Sequence, residues 1–312
     1  MAFIAVAFIA FSVSYILTPY IARLARKQNF VDRPGYRKIH SDSIPNLGGI
    51  VIFFGFLLSI LLFVPFQEKV TALLAGSIII LLLGVVDDIV DLKPLHKFII
   101  QIIPALLLLV YHADIINQFI IEKLSFLSYA GYLLYPVLLF WIVGVTNSVN
   151  LIDGLDGLAC GISIISLFTF TVLGFLIKDG YQIYNLLNVA ILGSMIAFFR
   201  YNFYPAKIFL GDSGSTFAGY LIASTAILWV IFSEKLLFFI VPLIILALPL
   251  IDTLFAIWRR YRGHLSIFQA DQGHLHHRLL NRGISHRNAV LLLLAISAIC
   301  SLIAIVFTIF YL

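Results

Sequence analysis

The sequence predicts an all-α polytopic membrane protein with about ten transmembrane helices. Of its 312 residues, 62% are apolar and only 11% are charged, and the mean hydropathy is +1.07. Soluble domains have about 45–50% apolar and about 25% charged residues, so this composition excludes a water-soluble enzyme and a disordered chain. Because loops take up little of the chain, we expect one integral-membrane domain over residues 1–312.

Ten apolar stretches approach or exceed the length needed to cross a bilayer, which is about 20 mainly apolar residues. Arg23 follows the first stretch and no positive charge precedes it, which indicates a retained helix rather than a signal peptide. Pro242 and Pro249 lie inside the ninth stretch, so we expect that span to be kinked or broken. The predicted spans are 3–22, 48–66, 71–87, 95–111, 126–146, 157–177, 185–200, 213–232, 236–258 and 288–311.

The loops between these spans form two sets that differ in charge. Sixteen of the 20 Lys and Arg residues lie in or beside one set, and four lie in the other. The positive-inside rule therefore predicts that both termini are outside and that the basic loops are cytoplasmic. These loops also contain most of the Asp and His residues, whereas the outer loops are short and plain. We predict an active site on the cytoplasmic face of a multi-pass protein of the cell's inner (cytoplasmic) membrane. The basic loops are 23–47, 88–94, 147–156, 201–212 and 259–287.

Three carboxylates, those of Asp87, Asp88 and Asp91, end the third predicted span. They repel one another unless a cation screens them, and Mg²⁺ carrying a diphosphate would do so. The alternative is a solvated helix cap, but a carboxylate at this end of a helix opposes the helix dipole. Lys97 lies one turn inside the next span, where it could bind phosphate or extend to the lipid head groups.

A second polar cluster joins the fifth and sixth spans in residues 147–157. Asp153 and Asp156 are three residues apart and could face one site, with Asn150 close by. Two glycines in the segment would let the backbone approach a ligand closely. The alternative is a turn with Asp156 as a helix N-cap, which would explain one carboxylate but not the whole cluster.

A third motif, Gly-Asp-Ser-Gly-Ser at 211–215, opens the eighth span. It could form an anion-binding nest at a helix N-terminus. Asp212 could instead be a Mg²⁺ ligand or only the N-cap. Asn202 and Phe209 precede the motif and could supply an amide and a stacking face.

The basic loop 259–287 contains His274, His276, His277 and Arg278. Their spacing differs from the helical zinc pattern and no cysteine is near, which argues against a zinc site. Imidazole and guanidinium groups suit a phosphate or a leaving group better.

Two other features are less specific. Lys38 and His40 precede a Pro-Asn-Leu-Gly-Gly turn before the second span, and the positive-inside rule by itself explains them. Asp252 is the only acid well inside a predicted span, so we expect it to have a polar partner or a role.

In this order, the motifs between residues 37 and 288 resemble those of polyprenyl-phosphate N-acetylhexosamine-1-phosphate transferases of the MraY/WecA type. The resemblance implies a single transferase domain over 1–312 that joins a UDP-activated amino sugar phosphate to undecaprenyl (polyprenyl) phosphate and releases UMP. It implies Mg²⁺, or Mn²⁺ in its place, as the cofactor. The His-Leu-His-His order is similar to the branch using a simple UDP-N-acetylhexosamine, so UDP-GlcNAc is the expected donor.

The resemblance assigns catalysis to carboxylates and one histidine. Asp212 would bind Mg²⁺, and Asp87 would be the base, or the nucleophile, facing the lipid phosphate, with Asp88 beside it. Asp153, near the diphosphate, and His274, in the histidine motif, complete this group.

The resemblance also implies a set of substrate-binding residues. Asn150 would lie near the diphosphate, and Asp156 and Phe209 would hold the uracil, Phe209 by stacking. The others match family positions around the phosphates, in the histidine motif or in the first cytoplasmic motif: Lys97, Asn202, His276, His277, Arg278, Lys38 and His40.

Three alternatives stay open: a phospho-MurNAc-pentapeptide transferase, an intramembrane prenyltransferase and a secondary transporter. The spacing of the second acidic block argues against the prenyltransferase. The position of the polar clusters at one face, without repeated halves, argues against the transporter. The expected partners are a UDP-N-acetylhexosamine, undecaprenyl phosphate and the lipid bilayer, without nucleic acid, and a homodimer is left open. We expect the enzyme to serve the first membrane step of a cell-envelope polysaccharide pathway.

Overall fold

The computed structural model describes residues 1–32, 43–65, 67–177, 180–266 and 273–312. Two 3₁₀ helices, Ser125–Leu133 and Leu236–Phe239, precede α6 and α10, and the two-residue strands β1 (Val31–Asp32) and β2 (Ile44–Pro45) pair antiparallel. The α-helices over these residues are α1 (Ala2–Lys27), α2 (Gly48–Phe63), α3 (Glu68–Val90), α4 (Pro94–Tyr111), α5 (Ala113–Lys123), α6 (Leu134–Leu151), α7 (Leu158–Gly174), α8 (Gln182–Asn202), α9 (Gly211–Ser233), α10 (Ile240–Ile245), α11 (Ala247–Arg262), α12 (Leu275–Asn281) and α13 (His286–Tyr311).

The predicted all-α membrane fold is confirmed. Seven helices of the described chain are long and apolar enough to cross a membrane, and a bent helix pair makes an eighth candidate. The two other predicted spans are the apolar helices α2 and α7, of 16 and 17 residues. At 1.5 Å per residue these two are shorter than the hydrocarbon core of about 30 Å. The count of ten crossings and the outward orientation of the termini therefore stay predictions.

The ninth predicted span is broken, as its two prolines indicate. The segment Leu236–Ile245, which ends with α10, meets α11 at 79°. The break falls at Leu246, between Pro242 in α10 and Pro249 in α11. Pro249 is the third residue of α11, where a backbone N–H has no intrahelical partner, so the proline is tolerated in that first turn.

One predicted outer loop contains a helix that the sequence analysis did not predict. Residues 113–123 form α5, which buries Ile116, Phe119 and Ile120. These apolar residues recur at a spacing of three or four, which gives a helix one buried face. Lys69 at the start of α3 pairs with Asp114 of α5 at 2.5 Å.

Helix α9 is the centre of the bundle and packs against α2, α3, α6 and α7. In its apolar stretch of 18 residues, 94% is buried inside the protein, more than in any other candidate span of the described chain. Gly49 of α2 and Gly84 of α3 both face the backbone at Ser213, and neither leaves room for a Cβ. These glycines let the start of α9 lie directly against the end of α3 and the start of α2.

A matched pair of Gly→Ala substitutions tests this packing. A Cβ at Gly84 would overlap the backbone of α9, whereas one at Gly144 of α6 would meet no atom within 4 Å. We expect Gly84→Ala to lower the free energy of unfolding by about 1–3 kcal/mol, as overpacking does. Gly144→Ala should leave it unchanged or raise it, because alanine favours helix. Thermal unfolding in detergent measures both, and equal melting temperatures would contradict the close contact.

Candidate active site

A cavity of 940 Å³ lies where the ends of α3 and α6 meet the start of α9. Its wall also includes the loop before α9 and parts of α12 and α13. The cavity is rich in carboxylates, which favours cationic or metal-bound ligands over apolar ones. The carboxylates that line it are those of Asp87, Asp88, Asp91, Asp153, Asp156 and Asp212.

Asp88 caps α9 from the neighbouring helix. Its two oxygens accept the backbone N–H groups of Asp212 at 2.8 Å and Ser213 at 3.1 Å. The Asn46 side-chain amide donates to the same carboxylate at 3.0 Å. The anion nest predicted for the 211–215 motif is therefore filled by a carboxylate of the chain itself. Asp212 is not the N-cap, because Leu210 holds that position without a side-chain cap.

Lys97 connects the two carboxylates that face each other across the cavity floor. Its ammonium group pairs with Asp87 and lies 3.2 Å from Asp212 Oδ2. The side-chain amide of Asn150 donates to the other Asp212 oxygen at 2.6 Å. Asp87 also accepts the Leu92 N–H at 2.8 Å and is only 5% exposed, so it is not a solvated cap. Lys97 points into the site rather than towards lipid head groups.

These side chains fit a divalent metal ion that is shared with a substrate. Over the described residues, no three His, Cys, Asp or Glu side chains form a metal cage of protein ligands alone. Mg²⁺ usually binds through one or two carboxylates together with water and substrate phosphates, so a full cage is not needed. Asp87 and Asp212 supply the carboxylates. The ammonium group of Lys97 between them shows that a positive charge is accommodated there.

The turn between α6 and α7 brings two further carboxylates to the cavity. Burial, together with the charges of Asp212, Asp88 and Asp156, raises the pKa of Asp153 well above its usual 3.8. Asp156 accepts the Ala206 N–H through Oδ2 at 2.9 Å and so ties this turn to the loop before α9. It is not an N-cap, because α7 begins at Leu158 after Gly157 and has no side-chain cap.

The Pro-Asn-Leu-Gly-Gly turn before α2 holds the loop that carries Phe209. The Phe209 N–H donates to Pro45 O at 2.8 Å, and Gly48 N–H donates to Phe209 O at 3.1 Å. Asn202 is buried and its amide donates to Ile208 O at 3.1 Å, which fixes the same loop from the α8 side. Phe209 is half-buried and its position in the cavity wall is set from both directions.

The buried carboxylate Asp252 has the polar partner that its position predicted. His274 Nδ1 lies 2.7 Å from Asp252 Oδ2, and the Leu275 N–H donates to Oδ1 at 2.9 Å. This contact joins α11 to the start of α12. His274 does not line the cavity, and its catalytic role stays a prediction.

The other histidines have different environments. His277 lines the cavity, whereas His276 is buried behind it, with its ring close to Gly154. Burial and the neighbouring His277 lower the pKa of His276 to about 3, so this imidazole is neutral at physiological pH. Arg278 is exposed and is not part of the cavity wall.

The structure therefore brings together most of the residues predicted from sequence. Lys97 contacts Asp212 but is not part of the cavity wall. Lys38 and His40 lie outside the described residues. Among the lining residues that sequence reasoning did not assign are Arg26, Asn46, Tyr204 and His286. Asn46 stands in a motif already singled out, whereas the other three have no local signal. The predicted residues that line the cavity are Asp87, Asp88, Asn150, Asp153, Asp156, Asn202, Phe209, Asp212 and His277.

Comparison with known proteins agrees with the motifs. Residues 70–230 match the family model described as glycosyl transferase family 4. A probable undecaprenyl-phosphate N-acetylglucosaminyl 1-phosphate transferase of Bacillus subtilis is 40% identical over 292 residues, which cover 93% of this chain and 81% of the relative.

Two more distant relatives cover similar shares of the chain. An undecaprenyl-phosphate alpha-N-acetylglucosaminyl 1-phosphate transferase of Thermotoga maritima is 30% identical over 94% of this chain and 87% of its own. A phospho-N-acetylmuramoyl-pentapeptide-transferase of a Wolbachia strain is 30% identical over 96% of this chain and 97% of its own. The chain belongs to glycosyl transferase family 4 and is a membrane-embedded phosphotransferase of that family.

Proposed function

We propose that the enzyme transfers N-acetylglucosamine 1-phosphate from UDP-GlcNAc to undecaprenyl phosphate at the cytoplasmic face of the inner membrane. The products are undecaprenyl-diphospho-N-acetylglucosamine and UMP. The observation that carries the proposal is the carboxylate site at the start of α9, where Asp87, Lys97 and Asp212 meet. The higher identity to the Bacillus subtilis relative supports this donor over a MurNAc-pentapeptide donor.

Asp212 and Asp87 are the residues that would hold Mg²⁺. When bound, the ion would neutralise the diphosphate and stabilise the charge on departing UMP. Asn150 and Lys97 each bind one oxygen of Asp212 and so fix the direction of its carboxylate. The chain's own contribution is therefore a rigid set of oxygens, placed before the substrates arrive.

The reaction forms a bond from an oxygen of the lipid phosphate to the sugar-bearing phosphorus of UDP-GlcNAc. The bond from that phosphorus to the UMP oxygen breaks, and UMP leaves as a phosphate monoester. Both Asp87 oxygens already have partners, Leu92 N–H and Lys97. These partners fix the direction of the Asp87 carboxylate, and its role as base or as nucleophile stays a prediction. A phosphate monoester has a second pKa of about 6, so removal of its proton is a small part of the barrier near neutral pH.

The nucleoside would lie between Phe209 and Asp156, both in the cavity wall. The Phe209 ring offers a stacking face, and the Asp156 carboxylate offers an acceptor to the uracil imide. The similarity to named transferases favours this function over a prenyltransferase or a transporter. The homodimer stays a prediction.

UMP release tests the proposed function. Purified enzyme in detergent with Mg²⁺, undecaprenyl phosphate and UDP-GlcNAc should release UMP only when the lipid is present. Release from UDP-MurNAc-pentapeptide instead would correct the donor. Pyrophosphate as the product with a prenyl donor, or no UMP from any donor with well-folded protein, would contradict the proposal.

Removal of one carboxylate tests the metal assignment. Asp212→Asn should lower kcat by about 100-fold, as loss of one charge-stabilising group does, with an unchanged melting temperature. Asp114→Asn removes a carboxylate on the opposite side of the bundle and should keep wild-type turnover. Near wild-type activity of Asp212→Asn across a Mg²⁺ titration would show that the assignment is wrong.

Truncation of the stacking ring tests the uracil position. Phe209→Ala should raise the KM for UDP-GlcNAc about tenfold, since stacking of a base on an aromatic ring is worth about 1–3 kcal/mol. The KM for undecaprenyl phosphate should not change. Phe140→Ala, at an exposed position of α6, is the matched control. An equal rise of both KM values for Phe209→Ala would argue against the stack.

A further inference from the structure

His286 lines the cavity, but no role described above uses it. It is the first residue of α13, and its side chain is 11% exposed. Its ring stacks on the ring of Tyr204, with centroids 4.4 Å apart. The start of α13 and the loop before α9 therefore form one continuous aromatic wall of the cavity.

The imidazole of His286 accepts a hydrogen bond from the backbone. Its Nε2 lies 3.0 Å from the backbone nitrogen of Asp156, which can only donate. A ring nitrogen that accepts carries no proton, so the ring in this arrangement is neutral and its proton is on Nδ1. His286 thus contributes an acceptor, and no positive charge, to this side of the site.

This arrangement leaves one oxygen of Asp156 available. Oδ2 accepts the Ala206 N–H at 2.9 Å. In the described part of the chain no group donates to Oδ1, which lies 3.8 Å from His286 Nε2. Because Nε2 already accepts the Asp156 N–H, it has no proton to give to Oδ1. His286 therefore fixes the Asp156 backbone without occupying its carboxylate.

We infer that His286 is a positioning residue for the uracil of the UDP-sugar and acts through Asp156. The inference rests on the proposed function, in which Asp156 holds the base. The imide N3–H of uracil is a donor of the kind that the free Oδ1 requires. Without the His286 acceptor, the Asp156 N–H loses its partner and the turn that aims Oδ1 loses an anchor.

The test compares UMP with N3-methyl-UMP, in which a methyl group replaces the donor proton, as inhibitors of the full-length enzyme. UMP should inhibit wild-type enzyme at least about tenfold more tightly, the value of one good hydrogen bond. His286→Ala should raise the KM for UDP-GlcNAc about tenfold and bring the inhibition ratio close to one. Its kcat and its KM for undecaprenyl phosphate should stay at wild-type values.

Two further variants separate the hydrogen bond from the ring packing. His286→Phe keeps an aromatic ring against Tyr204 but cannot accept the N–H, so it should behave like His286→Ala. His286→Gln can accept the N–H through its side-chain carbonyl and should recover most of the UMP preference. His96→Ala, at an exposed position of α4 outside the cavity wall, is the matched control.

The outcomes distinguish this inference from the function on which it rests. A wild-type inhibition ratio in His286→Phe, or equal loss of UMP and N3-methyl-UMP binding with a lowered melting temperature, would overturn the positioning role. The transferase activity of the wild-type enzyme would stand in both cases. Absence of lipid-dependent UMP release from wild-type enzyme would instead overturn the proposed function.

Discussion

The site depends on one interaction, the capping of α9 by the carboxylate of Asp88. Two backbone N–H groups at the start of α9 point at this carboxylate, and the dipole of the helix favours its negative charge. The contact crosses from α3 to α9 and is short because Gly84 has no side chain to separate the helices. It brings Asp212 to the same level as Asp87 and Lys97. The carboxylates of Asp87 and Asp212 are thus positioned by helix packing rather than by a loop.

Among the described residues, the site has more Asp carboxylates than Lys and Arg side chains to balance them. Lys97 pairs with two carboxylates, while Asp153 and Asp156 have no described Lys or Arg partner. Burial, together with the neighbouring carboxylates, raises the pKa of Asp153, because both oppose its ionised form. A divalent cation brought with a diphosphate would relieve the repulsion. The same carboxylates would repel a diphosphate that arrived without a cation, so a metal ion would act in binding as well as in the proposed chemistry.

The sequence was sufficient to predict the helical membrane fold and the carboxylates that line the cavity among the described residues. The length of the apolar stretches indicates the spans. A carboxylate in or beside a membrane span has a high free-energy cost, so its presence indicates a function. It could not predict that Asp88 would fill the nest of the 211–215 motif, since that contact joins residues more than a hundred positions apart. His286 was also missed, because its contact with Asp156 joins distant residues and a histidine at the start of an apolar helix has no signature of its own. Helix α5 was missed because its short apolar pattern lies within a polar connection.

In the proposed reaction a sugar phosphate, not the sugar alone, moves to the lipid. UDP-GlcNAc labelled with ³²P in the phosphate that bears the sugar tests this directly. The label should enter the solvent-extracted lipid, and the released nucleotide should be unlabelled UMP. Label that stays with released UDP, while the lipid gains only the sugar, would contradict the mechanism and the use of the carboxylate site for phosphoryl transfer.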